Sequence, residues 1–239
     1  MIERHLARLR ARDQIGPDEQ DAIYAAIAET RDYPADLTFI RAGEPLHHST
    51  LLLDGFMCRY KDLKSGQRQI TELHVPGDFA DLHSFTLKHL DHEVMTLTPC
   101  RVAIVPHDNL GRITEQFPHL TRVYWFTTNV DAAIHREWEL SLGRRSAIAR
   151  LASLFCELHV RLKVVGLAEE DGYALPLTQT DLAECLGLTN VHVNRTLREL
   201  REMALVEFQA GRVTIRDWSK LASIGEFDPA YLYLEHRHI

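Results

Sequence analysis

Two stretches of this chain hold side chains whose types and spacing could do chemistry. The first is 177–201, LTQTDLAECLGLTNVHVNRTLRELR. On a helix starting near position 190, Asn190, Asn194, Arg195 and Arg198 fall on one outer face. Amides and guanidinium groups so placed can reach base edges in a major groove, or phosphate oxygens. The second stretch is 83–92, with His83, Ser84, Lys88, His89 and His92. If these converge in space, they can donate hydrogen bonds to an anionic or carbonyl ligand.

Metal chemistry is the competing reading for a chain with 14 histidines. A cupin-type metalloenzyme needs an H-x-H, a following Glu and a distant His. The only H-x-H here is His236–His238, at the end of the chain. The cysteines at 58, 100, 156 and 185 form no C-x-x-C, which argues against a disulfide framework and against a zinc or iron–sulfur set. No catalytic or metal-ligating residues are assigned, and the expectation is that the chain is not an enzyme.

The elements that must position the first group are legible. Thr178 followed by Asp181 is a helix-start signal, and Thr189 is a good N-cap for a second helix. Gly187 lies between them, where a left-handed residue is needed. Leu182, Ala183 and Leu186 give the first helix an inner face, and Val193, Leu197 and Leu200 the second. Two short strands over 205–217, turning at Ala210-Gly211, read as a β-hairpin wing. Arg212 sits on it where it can meet a phosphate. The polar run GLAEEDG before this module reads as a loop.

Upstream, residues 1–33 read as helical, with Asp18 as a cap and Ile23, Ala26 and Ile27 on one side. From 36 to 106 the period shortens to strands, with glycines at 43, 55, 66 and 77. That rhythm fits a small barrel or sandwich. Pro118 can open a helix to about Leu142, roughly 37 Å long at the α-helical rise. Leu120, Val123, Tyr124, Thr127, Val130, Ile134 and Trp138 form an apolar stripe along it at near-heptad spacing. Part of that stripe packs on its own barrel. The sharper expectation is a dimer seam through Leu120, Tyr124, Thr127, Ile134 and Trp138. Gly143 marks a break, and 145–164 reads as a further helix. The expected division is 1–117, a β-roll with N-terminal helices; 118–142, a dimerisation helix; and 143–239, a winged helix-turn-helix. The fold class is α+β.

The 239 residues are 45% hydrophobic and 26% charged, with a net charge of −7. This argues weakly against a general nucleic-acid coat and does not exclude a local DNA surface. Over 189–216, five arginines face three glutamates, a balance opposite in sign to the whole. No signal-peptide core or long apolar run is present, so a cytoplasmic protein without a membrane partner is expected.

The motifs PGDF (76–79), TPCRVAIV (98–105), FPHL (117–120) and LTQTDLAECLGLTNVHVNRTL resemble the catabolite-activator/fumarate-nitrate-regulator (CRP/FNR) family across nearly the whole chain. The form GLTNVHVNRTLRELR is similar to a subgroup seen mainly in alphaproteobacteria. The resemblance implies a homodimeric transcription factor on a palindromic double-stranded DNA operator, contacting RNA polymerase if it activates. It places base reading on Asn190, Val191, Asn194 and Arg195, and phosphate contacts on Thr178, Gln179, Thr189 and Arg198. Val191 stands where the family has an acidic reader. Cyclic-AMP-binding members carry a ribose-binding Glu and a phosphate-binding Arg-Ser pair; those positions fall on Leu82, Leu90 and Asp91, and 69–100 contains no Arg. Cyclic AMP is therefore not expected, and the effector is unassigned. The resemblance also turns His83, Ser84, Lys88 and His92 toward an effector pocket. GDFADLHSF (77–85) resembles the haem-binding member that senses carbon monoxide, with His83 at the ligand position. Haem is the alternative cofactor.

Overall fold

The computed structural model describes residues 1–235. Its contacts divide the described residues into two units, one formed by 1–61, 72–132 and 233–235, the other by 62–71 and 133–232.

The first unit opens with α1 (Glu3–Arg10) and α2 (Pro17–Ala26). Gly16 is the N-cap of α2, and Glu19 accepts its N–H at 3.0 Å. Asp18 thus lies inside the first turn rather than at the cap. The helical reading of 1–33 also fails beyond Ala26. Residues Glu29–Tyr33 form β1, because their backbone groups pair with a late strand of the roll. Then follow β2 (Thr38–Ile40), β3 (His48–Asp54), β4 (Met57–Asp62), β5 (Arg68–His74), the one-turn α3 (Ser84–Leu87), β6 (Glu93–Thr96) and β7 (Cys100–Pro106). They build two antiparallel sheets, ordered β1-β7-β3 and β2-β6-β4-β5.

Alternation along the strands assigns the two faces. Leu52, Val102 and Ile104 point into the roll with Ile40, Met57, Leu90 and Val94. Leu51, Leu53, Ala103 and Val105 point out and pack with Leu6 and Leu9 of α1, Ile23 of α2, Leu110 and Ile113 of α4 (His107–Gln116), and the start of α5 (Pro118–Arg144).

The PGDF motif makes the joint between roll and helices. Gly77 has φ +101, and a Cβ there would lie 2.9 Å from the Arg4 carbonyl oxygen, so a side chain would push α1 away. Asp78 accepts the Val75 N–H at 3.0 Å, and Phe79 is buried edge-on against His5 and Tyr124.

In the second unit, Ser146 caps α6 (Ala147–Val164). Helix α5 runs straight through Gly143, so the break falls at 145–146. The GLAEEDG run is not a plain loop. It forms the turn of a hairpin between β8 (Ala168–Glu169) and β9 (Gly172–Ala174). Then come α7 (Gln179–Leu186), α8 (Asn190–Glu202), β10 (Val206–Gln209), β11 (Arg212–Ile215) and α9 (Trp218–Ile224). The wing hairpin therefore belongs to a four-stranded sheet, β10-β11-β9-β8. His236 and His238 lie outside the described residues.

Candidate nucleic-acid interface

Helices α7 and α8 are set by local chemistry at their ends. Thr178 Oγ1 accepts the Asp181 N–H at 3.1 Å, while Asp181 accepts the Thr178 N–H at 2.7 Å, a closed capping box. Gly187 ends α7 at φ +60 and ψ 39, the left-handed geometry the turn requires. Thr189 Oγ1 then accepts the His192 N–H and starts α8.

Two partners of this turn are not visible in the local sequence. Gln69 donates to the carbonyls of Glu184 and Cys185 at 2.7 and 3.2 Å. Arg150 donates to the Leu186 carbonyl at 2.9 Å. They satisfy carbonyls that the end of α7 would otherwise leave open. Gln69 is 115 residues from Glu184, so no spacing rule could have found it.

The inner face of α8 is Val193, Thr196 and Leu200, all buried, with Leu197 half-buried. Its outer face exposes Asn190, Val191, Asn194, Arg195 and Arg198. Asn190 donates to Thr180 at 3.2 Å, and Asn194 to the Asn190 carbonyl at 3.0 Å. Both amides are thereby oriented while their oxygens remain available as acceptors. Val191 is 77% exposed. Among the described residues no ion pair ties Arg195, whereas Arg198 lies 3.7 Å from Glu202. Thr178 and Gln179 are exposed at the start of α7. Arg212 on the wing is paired with Glu169 of β8, so part of its charge is already compensated.

The residues expected at the dimer seam point elsewhere. Leu120 and Tyr124 are buried in the core beneath α1 and the roll, and Thr127 is buried with its hydroxyl on the Val123 carbonyl. Ile134 is 1% exposed, and Trp138 is buried with its indole N–H on Glu157 of α6 at 3.0 Å. The protomer itself buries this stripe, because packed neighbours in the same chain meet it first. Helix α5 exposes a different row: Arg122, Trp125, Asn129, Ala132, Arg136 and Glu139.

The four residues expected to line an effector pocket also do not converge. His83 and His92 lie together, ring centroids 5.5 Å apart. Ser84 turns inward, 3.1 Å from His107 Nε2 and 3.2 Å from Ser49 Oγ. Lys88 is exposed, its ammonium 4.8 Å from the Phe85 ring centre. Beside Ser84, Asp81 is fully buried and accepts the Thr50 N–H; burial pushes its carboxyl up to about 7. Burial also lowers His107 to about 4.

Leu82 and Leu90 are buried in apolar clusters. Asp91 is exposed on Lys61 at 2.7 Å and His92 at 3.1 Å, hydrogen bonds that hold its carboxyl well below the usual range. An internal arginine exists at Arg59, yet the chain's own acceptors surround it. It donates to the Ala80 carbonyl at 2.8 Å, Glu72 at 2.6 Å and Asp131 of α5 at 3.3 Å. Arg8 pairs with Asp78 in the same layer. The surroundings of His83 do not fit haem: its neighbour His92 sits on the exposed Asp91 carboxylate, where a porphyrin needs an apolar slot. Among the described residues no group of His, Cys, Asp and Glu converges to hold a metal ion. No helix among them is long and apolar enough to cross a membrane.

Comparison with known proteins agrees with this geometry. Residues 30–117 match the cyclic nucleotide-binding domain family and residues 149–224 the Crp-like helix-turn-helix domain family. The chain is 29% identical over 178 residues to the nitrogen fixation regulation protein FixK of Bradyrhizobium diazoefficiens, covering 72% of each. It is 27% identical over 209 residues to the transcriptional activator protein FnrL of Cereibacter sphaeroides, covering 85% of this chain and 83% of the relative. The solved structure of FixK2 from Bradyrhizobium japonicum superposes with a TM-score of 0.76 at 26% identity, over 83% of this chain and 97% of that one. A capped helix pair with a polar outward face, a wing and a cyclic-nucleotide-type roll thus make this chain a member of the CRP/FNR family of DNA-binding transcription regulators, and not an enzyme.

Proposed function

We propose that the protein is a homodimer that binds a palindromic operator and needs no cyclic nucleotide to do so. The observation that carries the DNA reading is the outer face of α8. Its N-terminal half presents Asn190, Val191, Asn194 and Arg195, held by the Thr189 cap over a buried inner face. Helices docked by their N-terminal turns put such residues against base edges. Arg195 reads guanine, and Thr178, Gln179, Thr189, Arg198 and Arg212 hold phosphates. If the protein activates, RNA polymerase is its second partner.

The dimer seam in this reading is the exposed row on α5, not the buried stripe. Arg122, Trp125, Asn129, Ala132, Arg136 and Glu139 alternate in steps of three and four, the spacing of a coiled-coil seam. Trp125 is 69% exposed, and a second copy would cover it.

Effector independence is supported by the side chains that replace the family's ligand contacts. Leu82 and Leu90 cannot bind ribose or phosphate, Asp91 would repel phosphate, and Arg59 is committed to Glu72 and Asp131. Selection from a random DNA pool with untagged protein tests the proposal. The expected product is a two-fold-symmetric site whose half-sites lie about 34 Å apart, bound without added ligand. A selected site bound only after adding cyclic AMP would overturn effector independence, and failure to enrich any sequence would overturn operator reading.

A further inference from the structure

Resting on the operator reading above, we infer that Val191 selects a thymine in each half-site by contact with its 5-methyl group. Val191 is the most exposed large hydrophobic side chain among the described residues, at 77%, yet it lies on the face with Asn190, Asn194 and Arg195. Nothing in the fold requires an aliphatic group there. The inner face is already made by Val193, Thr196 and Leu200. Valine is also a weaker helix former than most exposed residues, so local helix stability does not explain it.

The chemistry of the groove narrows what such a side chain can meet. Guanine presents two acceptors, adenine an acceptor and a donor, and cytosine a donor. Valine pairs with none of them, and pressing it on any would strip water from a polar edge without replacement. Thymine alone of the four presents a methyl group. The valine is suited to that contact because in a helix it holds essentially one rotamer, so its two methyls are fixed in advance. Thr189, the cap, fixes the backbone two residues earlier.

Position follows from the helix. Val191 and Arg195 are one turn apart on the same face, about 6 Å along the axis. With bases about 3.4 Å apart along a strand, the thymine lies within about two base pairs of the guanine read by Arg195.

The test replaces each thymine of the selected half-site in turn by deoxyuridine, which removes only the methyl. With wild-type protein, one position within about two base pairs of the Arg195-dependent guanine should lose about fourfold in affinity, the value of one buried methyl-sized group. Val191→Ala should bind the thymine and deoxyuridine sites equally, and cytosine at that position should lose more than deoxyuridine. Placing 5-methylcytosine there should recover part of the loss in the wild type but not in Val191→Ala. Circular dichroism and the Arg195-dependent preference verify that the variant is folded. If no deoxyuridine substitution weakens the wild type, or if Val191→Ala keeps the full effect, the inference is wrong. A selected operator with an intact Arg195 contact would then still stand, whereas a pool that enriches no sequence condemns the operator reading first.

Discussion

The helix-turn-helix at 178–202 and the α3 segment at 81–92 are both rich in polar side chains, and they use them in opposite ways. In the first, the polar groups that point out are Asn190, Asn194, Arg195 and Arg198, and the apolar ones other than Val191 point in. In the second, Lys88, His89 and Asp91 are exposed, but Asp81 and Ser84 point in, Asp81 on Thr50 and Ser84 on Ser49 and His107, and the nearby Arg59 is enclosed by Ala80, Glu72 and Asp131. A side chain kept for a partner stays solvated or lightly held. One already paired inside the chain has no spare capacity for a ligand. In the proposed reading, the difference separates a recognition surface from a domain whose inward polar groups serve the fold.

The strongest way to break that contrast is to cut the internal network. Arg59→Ala removes the buried cation shared by Glu72 and Asp131, leaving Asp131 with Arg8 at 3.8 Å, and should cost about 3–5 kcal/mol in urea unfolding. A loss near zero would mean that Arg59 is held as loosely as a binding residue. Next comes α5, whose two faces should behave differently. Trp125→Glu with Ala132→Glu should give folded monomer by sedimentation, because both side chains are exposed in the protomer. Ile134→Glu should instead unfold the chain, since that side chain is 1% exposed. Dimer retained by the Trp125 and Ala132 double variant would move the seam off this face.

On the DNA side the effects are smaller and fall on binding. Arg195→Ala should cost about 1–3 kcal/mol on the selected site and flatten preference at one base pair per half-site. Arg198→Ala should weaken all sequences alike and lower the salt slope by about one per site. Neither should move the unfolding midpoint. Thr178→Ala should do so, by about 1 kcal/mol, through loss of the capping box.

A separate effect is a pH slope. The folded-state carboxyl of Asp81 lies near 7, above its ordinary value of 3.8, so the folded chain keeps a proton that the unfolded chain releases. Stability from this group is therefore greatest at low pH, falls as pH rises from about 4 to 7, and is flat above. Asp81→Asn retains an oxygen for the Thr50 N–H and should remove that part of the slope in unfolding curves. An unchanged slope would place the proton elsewhere.

Sequence was most informative where structure is local. The Thr178–Asp181 box, the left-handed Gly187 and the Thr189 cap depend on neighbours a few residues away, and all three are present as read. The faces of α8 follow from helical period alone. The roll was legible as a strand rhythm, because short apolar runs between glycines at 43, 55, 66 and 77 need only local spacing, while the split of Leu51 and Leu53 from Leu52 between two cores came from the structure. What failed depended on partners distant in sequence. Period marked the apolar stripe of α5 but not its occupant, and α1, the roll and α6 of the same chain took it. Residues 29–33 became a strand because β7, some 70 positions on, offered hydrogen bonds that a helix would have supplied internally.

By itself, then, the sequence determined the class of molecule, the recognition helix and the residues on its outer face, since capping, period and residue type act within a turn or two. Only the tertiary structure decided that Ser84 turns away from His83, that Arg59 is enclosed by Glu72 and Asp131, and that Gln69 and Arg150 close the end of α7. Each of those depends on which distant atoms fill the space beside a side chain, and period and propensity carry no term for that.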